Sequence, residues 1–67
     1  MITAKINGKE AELEENTDIR QYLAAQGHNA LRVAVEQNGA IVPQAAYAGR
    51  IIKAGDVLEI VSFVGGG

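Results

Sequence analysis

The sequence predicts an α+β domain in which a mixed sheet of four to five strands packs on one short helix. Three observations support this fold class. Apolar and polar residues alternate on both sides of an Asn-Gly pair near the start of the chain. A short apolar stripe with helical spacing follows, and further alternating segments then lead through a tight turn to a final strand. The 67 residues leave room for one domain.

The first thirteen residues predict a β-hairpin. Residues 2–6 and 9–13 each alternate between apolar and polar side chains, with Asn7-Gly8 between them. Asn-Gly is a strong hairpin signal because a type I′ turn requires positive φ at both central positions. The alternation predicts that one face of this hairpin is buried.

A short amphipathic helix is predicted over residues 18–26. Thr17 is expected to cap the helix through its hydroxyl, and an apolar stripe at i, i+3 and i+4 begins at Ile19. Gly27 is a natural left-handed stop. Because a helix this short is unstable alone, it must be held by packing on the hairpin.

The segments after the helix predict the other strands. Residues 31–36 alternate, and a short strand at 40–42 ends at Pro43. Because Pro43 cannot donate to a ladder, this strand lies at an edge or stops there. A tight turn at 54–56 leads into the last strand, Val57 to Phe63. This order is that of a β-grasp, in which the last strand commonly lies parallel to the first in the sheet centre.

Composition excludes several classes of function. The chain has no cysteine, so disulfides and zinc-thiolate sites are excluded. The net charge is −2 and the six Lys and Arg residues are scattered, so no nucleic-acid partner is expected. No apolar run reaches the ~20 residues of a membrane span and no signal-peptide order is present, so we expect a cytoplasmic protein without a membrane partner.

No residue pattern predicts an enzyme. The single histidine, His28, has no second His or Cys with which to share a metal. No acid–base pair or activated nucleophile stands out, and a chain this small has little core volume to give to a substrate pocket. We therefore expect no catalytic residue, no metal and no cofactor bound by the chain itself.

The feature best able to carry chemistry is the run Gly65-Gly66-Gly67. We expect residues 1–64 to form the β-grasp domain and residues 65–67 a flexible glycine tail. Glycines have no side chains to pack, so such a tail can enter a channel only as wide as the backbone, and it offers an unhindered α-carboxylate. The alternative is a plain disordered end or an artificial truncation.

Two segments resemble the ThiS family of thiamine-biosynthesis sulfur carriers, which have a ubiquitin-like β-grasp fold. They are residues 34–43, with Ala-Val-Glu-Gln-Asn-Gly followed by Ile-Val-Pro, and residues 54–67, which end in Phe-Val-Gly-Gly-Gly. The Asn7-Gly8 hairpin is also similar, so the resemblance covers the whole chain. One departure is the Ala-rich segment 44–49, where the family often carries a more polar or tryptophan-containing stretch.

The resemblance implies a sulfur carrier. A ThiF-like adenylating partner would use ATP and magnesium, bound by the partner, to couple the Gly67 carboxylate to AMP. A persulfide-bearing donor would then leave a C-terminal thiocarboxylate that supplies sulfur to thiazole synthase. Gly66 and Gly67 match the family's di-glycine, and Gly65 extends the thread that enters the partner's active site. The alternatives are a carrier for molybdopterin, cysteine synthesis or tRNA thiolation, or a non-catalytic β-grasp binding module.

A candidate docking surface for the partner consists of Val57, Val61, Phe63 and Val64. If the alternate residues of the last strand face the core, the first three lie on the sheet face that the single helix does not cover. This surface adjoins the glycine tail. The alternative is a reversed register, or a Phe63 that folds over the sheet edge to complete the core.

Overall fold

The computed structural model describes residues 1–63, which form a five-stranded mixed sheet packed on one helix. The strands are β1 (Ile2–Ile6), β2 (Lys9–Leu13), β3 (Val33–Gln37), β4 (Ala40–Val42) and β5 (Val57–Ser62), and the helix is α1 (Ile19–Ala25). Their order across the sheet is β2-β1-β5-β3-β4. Strand β5 is parallel to β1 and antiparallel to β3, as in the predicted ubiquitin-like β-grasp, and the fold class is confirmed.

Both Asn-Gly pairs form turns with the backbone of type I′. Asn7 and Gly8 have φ values of 52° and 83°, and Asn38 and Gly39 have 53° and 85°. These turns set the register of the β1–β2 and β3–β4 hairpins. The short strand that ends before Pro43 is an edge strand, as predicted.

Asp18 caps α1, so the prediction of Thr17 as the cap was wrong by one residue. The Asp18 Oδ1 accepts the N–H of Gln21 at 2.7 Å, and the Gln21 Oε1 accepts the N–H of Asp18 at 3.1 Å. This reciprocal pair is a capping box. The Thr17 hydroxyl donates instead to the carbonyl of Glu14 at 2.7 Å. An Asp followed three residues later by Gln can satisfy two backbone groups at once, which Thr17 alone cannot do.

The helix ends at a Schellman motif around Gly27, as the sequence predicts. Gly27 has a φ of 79°, its N–H donates to the carbonyl of Ala24, and the N–H of His28 donates to the carbonyl of Leu23 at 2.8 Å. The predicted range of 18–26 exceeds the observed helix only by its two capping residues.

Strand β3 begins two residues later than predicted. Leu31 lies in a 3₁₀ turn, Ala30–Arg32, in which the Asn29 Oδ1 accepts the N–H of Leu31 at 2.9 Å. The side chain of Leu31 is 75% exposed. Its apparent alternation with Val33 and Val35 was misleading because a side-chain cap stabilises a local turn that competes with the strand.

The core lies between α1 and one face of the sheet. A second 3₁₀ turn, Gln44–Ala46, brings Tyr47 into it, and the Tyr47 hydroxyl donates to the carbonyl of Val33 at 3.1 Å. Within residues 1–63 no buried side-chain polar atom lacks a partner. The core consists of Ala4, Ile6, Leu13, Ile19, Leu23, Val33, Val35, Val42, Tyr47, Ile52, Leu58 and Ile60.

The carboxylate of Asp18 joins the start of α1 to the loop before β5. Its Oδ2 accepts the N–H of Gly49 at 2.9 Å while its Oδ1 caps the helix. These hydrogen bonds, from Gln21 first and Gly49 second, lower the pKa of Asp18 and outweigh the opposing effect of desolvation. The charge of Arg20 acts in the same direction.

We therefore expect Asp18 to contribute to acid sensitivity. Because its folded-state pKa is depressed, its contribution is present above the ordinary value of 3.8 and is lost as the pH falls through the folded-state pKa. Asp18→Ala should lower the free energy of unfolding at pH 7 by about 1 kcal/mol, and it should reduce the further loss between pH 5 and pH 2. Urea unfolding across this range measures both effects. Glu15→Ala, an exposed neighbour outside the cap, is the control, and equal pH dependence in all three proteins would contradict this role.

Candidate functional site

The candidate site is the end of β5, because this strand leads directly into the glycine run. The predicted reactive residue Gly67, the predicted thread residues Gly65 and Gly66, and Val64 of the predicted docking surface lie outside the described residues. Their roles remain predictions. The structure shows where the preceding strand, β5, lies and which residues hydrogen-bond to it.

The side chain of Asn7 holds the second half of β5. Strand β1 ends at Ile6, but the Asn7 Oδ1 accepts the N–H of Ile60 at 2.7 Å and the Asn7 Nδ2 donates to the carbonyl of Ile60 at 3.1 Å. The side-chain amide of Asn7 thus occupies both backbone hydrogen-bonding groups of Ile60 beyond the end of β1. The sequence pattern predicts only a turn-forming role for Asn7 and gives no signal of this contact with a strand 53 residues away.

Asn38, in the second Asn-Gly turn, holds the start of β5. Its Oδ1 accepts the N–H of Val57 at 2.9 Å, and its own N–H donates to the carbonyl of Val57 at 2.7 Å. Its Nδ2 donates to the carboxylate of Asp56 at 3.1 Å. Each hairpin turn therefore holds one part of the strand that leads to the tail.

The carboxylate of Asp56 completes the anchor at the start of β5. Besides the amide of Asn38, it accepts the N–H of Lys53 and the Nε2 of Gln37, each at 2.8 Å. Desolvation by burial acts to raise the pKa of Asp56, but these hydrogen bonds and the charge of Lys53 together bring it below its usual value. The ionised form is therefore the one that this turn stabilises.

The apolar side chains of β5 predicted for docking lie on the open face of the sheet. Val57, Val61 and Phe63 are 41%, 59% and 53% exposed, while Leu58 and Ile60 between them are buried. This burial excludes both the reversed register and a Phe63 that closes the core. The N–H of Phe63 donates to the carbonyl of Arg32 at 2.7 Å, so the backbone ladder with the β3 side extends one residue beyond β5.

Glu36 and Ile41, which lie on the same face as Glu59, were missed from the sequence. Glu59 of β5 lies directly opposite Glu36 of β3, and Glu36 lies opposite Ile41 of β4. Ile41 is 77% exposed, and both glutamates are exposed. The Asn38-Gly39 turn was the signal that could have revealed the arrangement, because it fixes which β4 residue lies opposite each residue of β3.

A groove of about 580 Å³ lies between the C-terminal end of α1 and the two 3₁₀ turns. His28 lies in this groove, where its side chain is half-buried. In the part of the chain that the structure describes, no three His, Cys, Asp or Glu side chains converge to hold a metal ion, and no helix is long and apolar enough to cross a membrane. The lining residues are Arg20, Ala24, His28, Asn29, Ala30, Leu31, Gln44, Ala45, Tyr47 and Ala48.

Comparison with known families matches nearly the whole chain to one of them. The profile of the ThiS family covers residues 3–67. The chain belongs to the ThiS family. Members of this family are small sulfur carriers rather than catalysts, so the resemblance predicted from the sequence is confirmed, and the family supports the prediction that the chain is not an enzyme.

Solved structures of a ThiS protein share the fold over almost the full length. The crystal structure of thiamine biosynthesis protein ThiS from Geobacter metallireducens superimposes with a TM-score of 0.83 at 30% identity, covering 98% of this chain and 100% of that one. A solution structure of a thiamine biosynthesis protein from the same organism gives a TM-score of 0.79 at 30% identity, covering 98% of this chain and 88% of that one.

Curated relatives include two longer proteins named thiazole synthase. The one from Paramagnetospirillum magneticum is 42% identical over 62 residues, and the one from Magnetococcus marinus is 34% identical over 62 residues. Each match covers 92% of this chain but only 19% of the relative. The chain therefore spans about a fifth of the length of the curated relatives it matches.

We expect the Asn7 side chain to control the order of β5 near the tail. Asn7→Gly keeps a residue suited to positive φ but removes both bonds to Ile60, so it should lower the free energy of unfolding by about 1–3 kcal/mol. It should also reduce the hydrogen-exchange protection of the Ile60 amide. NMR-detected exchange measures this protection residue by residue.

Asn16→Gly is the matched control, because Asn16 also has a positive φ, of 68°, and is exposed. Any effect of added glycine on the unfolded chain is then common to both variants. Equal protection of the Ile60 amide in Asn7→Gly and Asn16→Gly would contradict the proposed clamp.

Proposed function

We propose that this chain is the sulfur carrier for formation of the thiazole ring of thiamine. The single observation that carries the proposal is its 42% identity to a segment of a protein named thiazole synthase. Together with membership of the ThiS family, this likeness favours the thiazole branch over carriers for molybdopterin, cysteine synthesis or tRNA thiolation.

The likeness also supports thiazole synthase as a partner. In the two relatives, a segment similar to this chain is covalently part of a protein with that name. Covalent connection raises the effective concentration of one module at another without any new contact between them. We propose that this chain makes the same encounter, either as a separate protein or as part of a longer chain.

The proposed reacting group is the α-carboxylate of Gly67, which requires that Gly67 be the last residue of the working protein. One carboxylate oxygen attacks the α-phosphorus of ATP on a ThiF-like partner, and pyrophosphate leaves. The terminal sulfur of a persulfide donor then attacks the acyl carbon and displaces AMP. A thiol cleaves the resulting sulfur–sulfur bond, which leaves the thiocarboxylate and a disulfide. ATP and magnesium bind to the partner.

The geometry of the described residues supports this role in two ways. Strand β5 is held at its start by Asn38 and further along by Asn7, so residues 64–67 start from a fixed point of the domain. The exposed side chains of Val61 and Phe63 adjoin that point. A partner that covers them is placed to receive Gly65 and Gly66 in its channel.

If the chain is a sulfur carrier, its intact mass should change when the proposed reaction takes place. The full chain is incubated with ATP, magnesium, a ThiF-like adenylating enzyme and a persulfide source, and its intact mass is measured. We expect exchange of one oxygen for sulfur, because the proposed reaction converts a single carboxylate, that of Gly67.

Deletion of Gly67 is the first control and should abolish the shift, because the terminal carboxylate, still preceded by two glycines, then lies one residue closer to the domain than the reacting position. Asn7→Gly is the second control, and it should slow the conversion while leaving the product unchanged. A folded, unmodified chain beside an enzyme that adenylates another carrier would overturn the proposal.

The docking prediction concerns Phe63. Because this side chain is 53% exposed, Phe63→Ala should change the free energy of unfolding by less than about 0.5 kcal/mol. It should nevertheless weaken binding to the adenylating partner by about tenfold, as expected for an aromatic side chain central to an interface. Isothermal calorimetry measures the binding.

Leu31→Ala is the matched control for this prediction. Leu31 is also large, apolar and exposed, at 75%, but it lies in the 3₁₀ turn beside the groove. Equal affinities of the Phe63→Ala variant and the unaltered chain would show that the partner does not use the open face at this position.

A further inference from the structure

We infer that the open sheet face binds an arginine of the carboxylate-activating enzyme through the paired carboxylates of Glu36 and Glu59. The inference rests on the proposed function and adds the chemical character of the docking contact. The surface, here called the open-face patch, consists of these two glutamates and the exposed apolar side chains of Ile41, Val57 and Val61.

The backbone holds the two carboxylates close together. Glu36 and Glu59 are directly opposite each other in the antiparallel pair of β3 and β5, where facing Cβ atoms are about 4.5–5.5 Å apart. Within residues 1–63 neither carboxylate accepts a hydrogen bond from a side chain. Lys5, on the same face, lies between Glu10 of β2 and Val57 of β5, and its side chain makes no hydrogen bond to Glu36 or Glu59 in the described residues. Like charges in facing positions repel, so this pair is suited to an external cation.

The apolar neighbours identify the partner as a protein. Ile41 lies across from Glu36, and Val57 and Val61 lie two residues before and after Glu59. These three side chains are 77%, 41% and 59% exposed. A partner that covers them also excludes water from the carboxylates at the centre. Burial of two like charges is tolerated only if the partner supplies a positive charge.

Charge complementarity selects a guanidinium. Its planar fork of five donors can bond to two carboxylates at once, whereas an ammonium acts as a point charge. A second copy of this chain in a symmetric contact would bring the same two carboxylates to the interface. Nucleic acid would bring phosphates, which also repel them.

The activating enzyme is the partner that most needs this selectivity. It acts on an ordinary carboxylate and must distinguish this chain from other chains that end in glycine. A later partner meets a thiocarboxylate, which already marks the correct chain. The open-face patch, which continues along β5 toward the tail, therefore fits the activation step.

The experiment compares binding of the full chain and of Glu36→Gln/Glu59→Gln to the activating enzyme by calorimetry at low and high salt. We expect the double variant to bind about tenfold more weakly at low salt and to show a flatter salt dependence. Glu12→Gln is the matched control, because Glu12 is exposed on the same face of the edge strand β2, opposite Thr3. It should change the affinity by less than about twofold.

The unfolding temperature is a second measurement, and it should not fall although the affinity does. Because the substitutions remove repulsion between facing charges, the double variant should unfold at the same temperature as the unaltered chain or at a higher one. Affinity equal to that of the unaltered chain, a loss no greater than that of Glu12→Gln, or weaker binding accompanied by a lower unfolding temperature would each overturn the inference.

The mass assay on the unaltered chain keeps the two proposals distinguishable. If the unaltered chain is converted to the thiocarboxylate and the double variant binds equally well, only the arginine contact is wrong. If the unaltered chain binds the enzyme but is never converted, the carrier function fails instead.

Discussion

The pairing of β5 with both hairpins is the interaction on which the rest of the domain depends. Strands β1 and β2 form one hairpin and β3 and β4 another, and β5 alone joins them into one sheet. Its core side carries Leu58 and Ile60, and its other side carries the exposed apolar residues. Two asparagine side chains, each in the turn of a hairpin, add hydrogen bonds to this strand. The same contacts thus assemble the core and fix the position of the strand that precedes residues 64–67.

A domain of 67 residues has little interior to spare for chemistry. Every strongly buried side chain belongs to one cluster between α1 and the sheet in the part that the structure describes. The proposed function accordingly uses the surface and residues 64–67 rather than a buried site. Membership of the ThiS family is consistent with this constraint, because its members are small sulfur carriers rather than catalysts.

The sequence was most informative where local chemistry is decisive. Asn-Gly pairs, Pro43 and Gly27 require particular backbone conformations, so the hairpins, the edge strand and the helix end could all be predicted. The wrong predictions concern segments that can adopt either of two local hydrogen-bonded conformations. Asp18, paired with Gln21, caps the helix where Thr17 was predicted to do so. Asn29 caps a 3₁₀ turn at the residues where β3 was predicted to begin.

The candidate site was predictable only in its β5 part. Alternation along one strand places Val57, Val61 and Phe63 on one face, but it cannot tell which residues of other strands join them. The pairing of Glu59 with Glu36 and the bonds of Asn7 to Ile60 depend on register between segments far apart in the chain. Such contacts leave no periodic signal in the sequence.

The central position of β5 also has a consequence for biosynthesis. It is the last strand of the domain to leave the ribosome, and until it does so the two hairpins have no shared strand. Completion of the sheet must therefore wait for contacts between segments more than fifty residues apart, which are slow to form. A growing or damaged chain that lacks β5 presents neither a finished sheet nor the segment beyond it. A partner that binds the open face of β5, as proposed above, would therefore encounter only chains in which the sheet is complete.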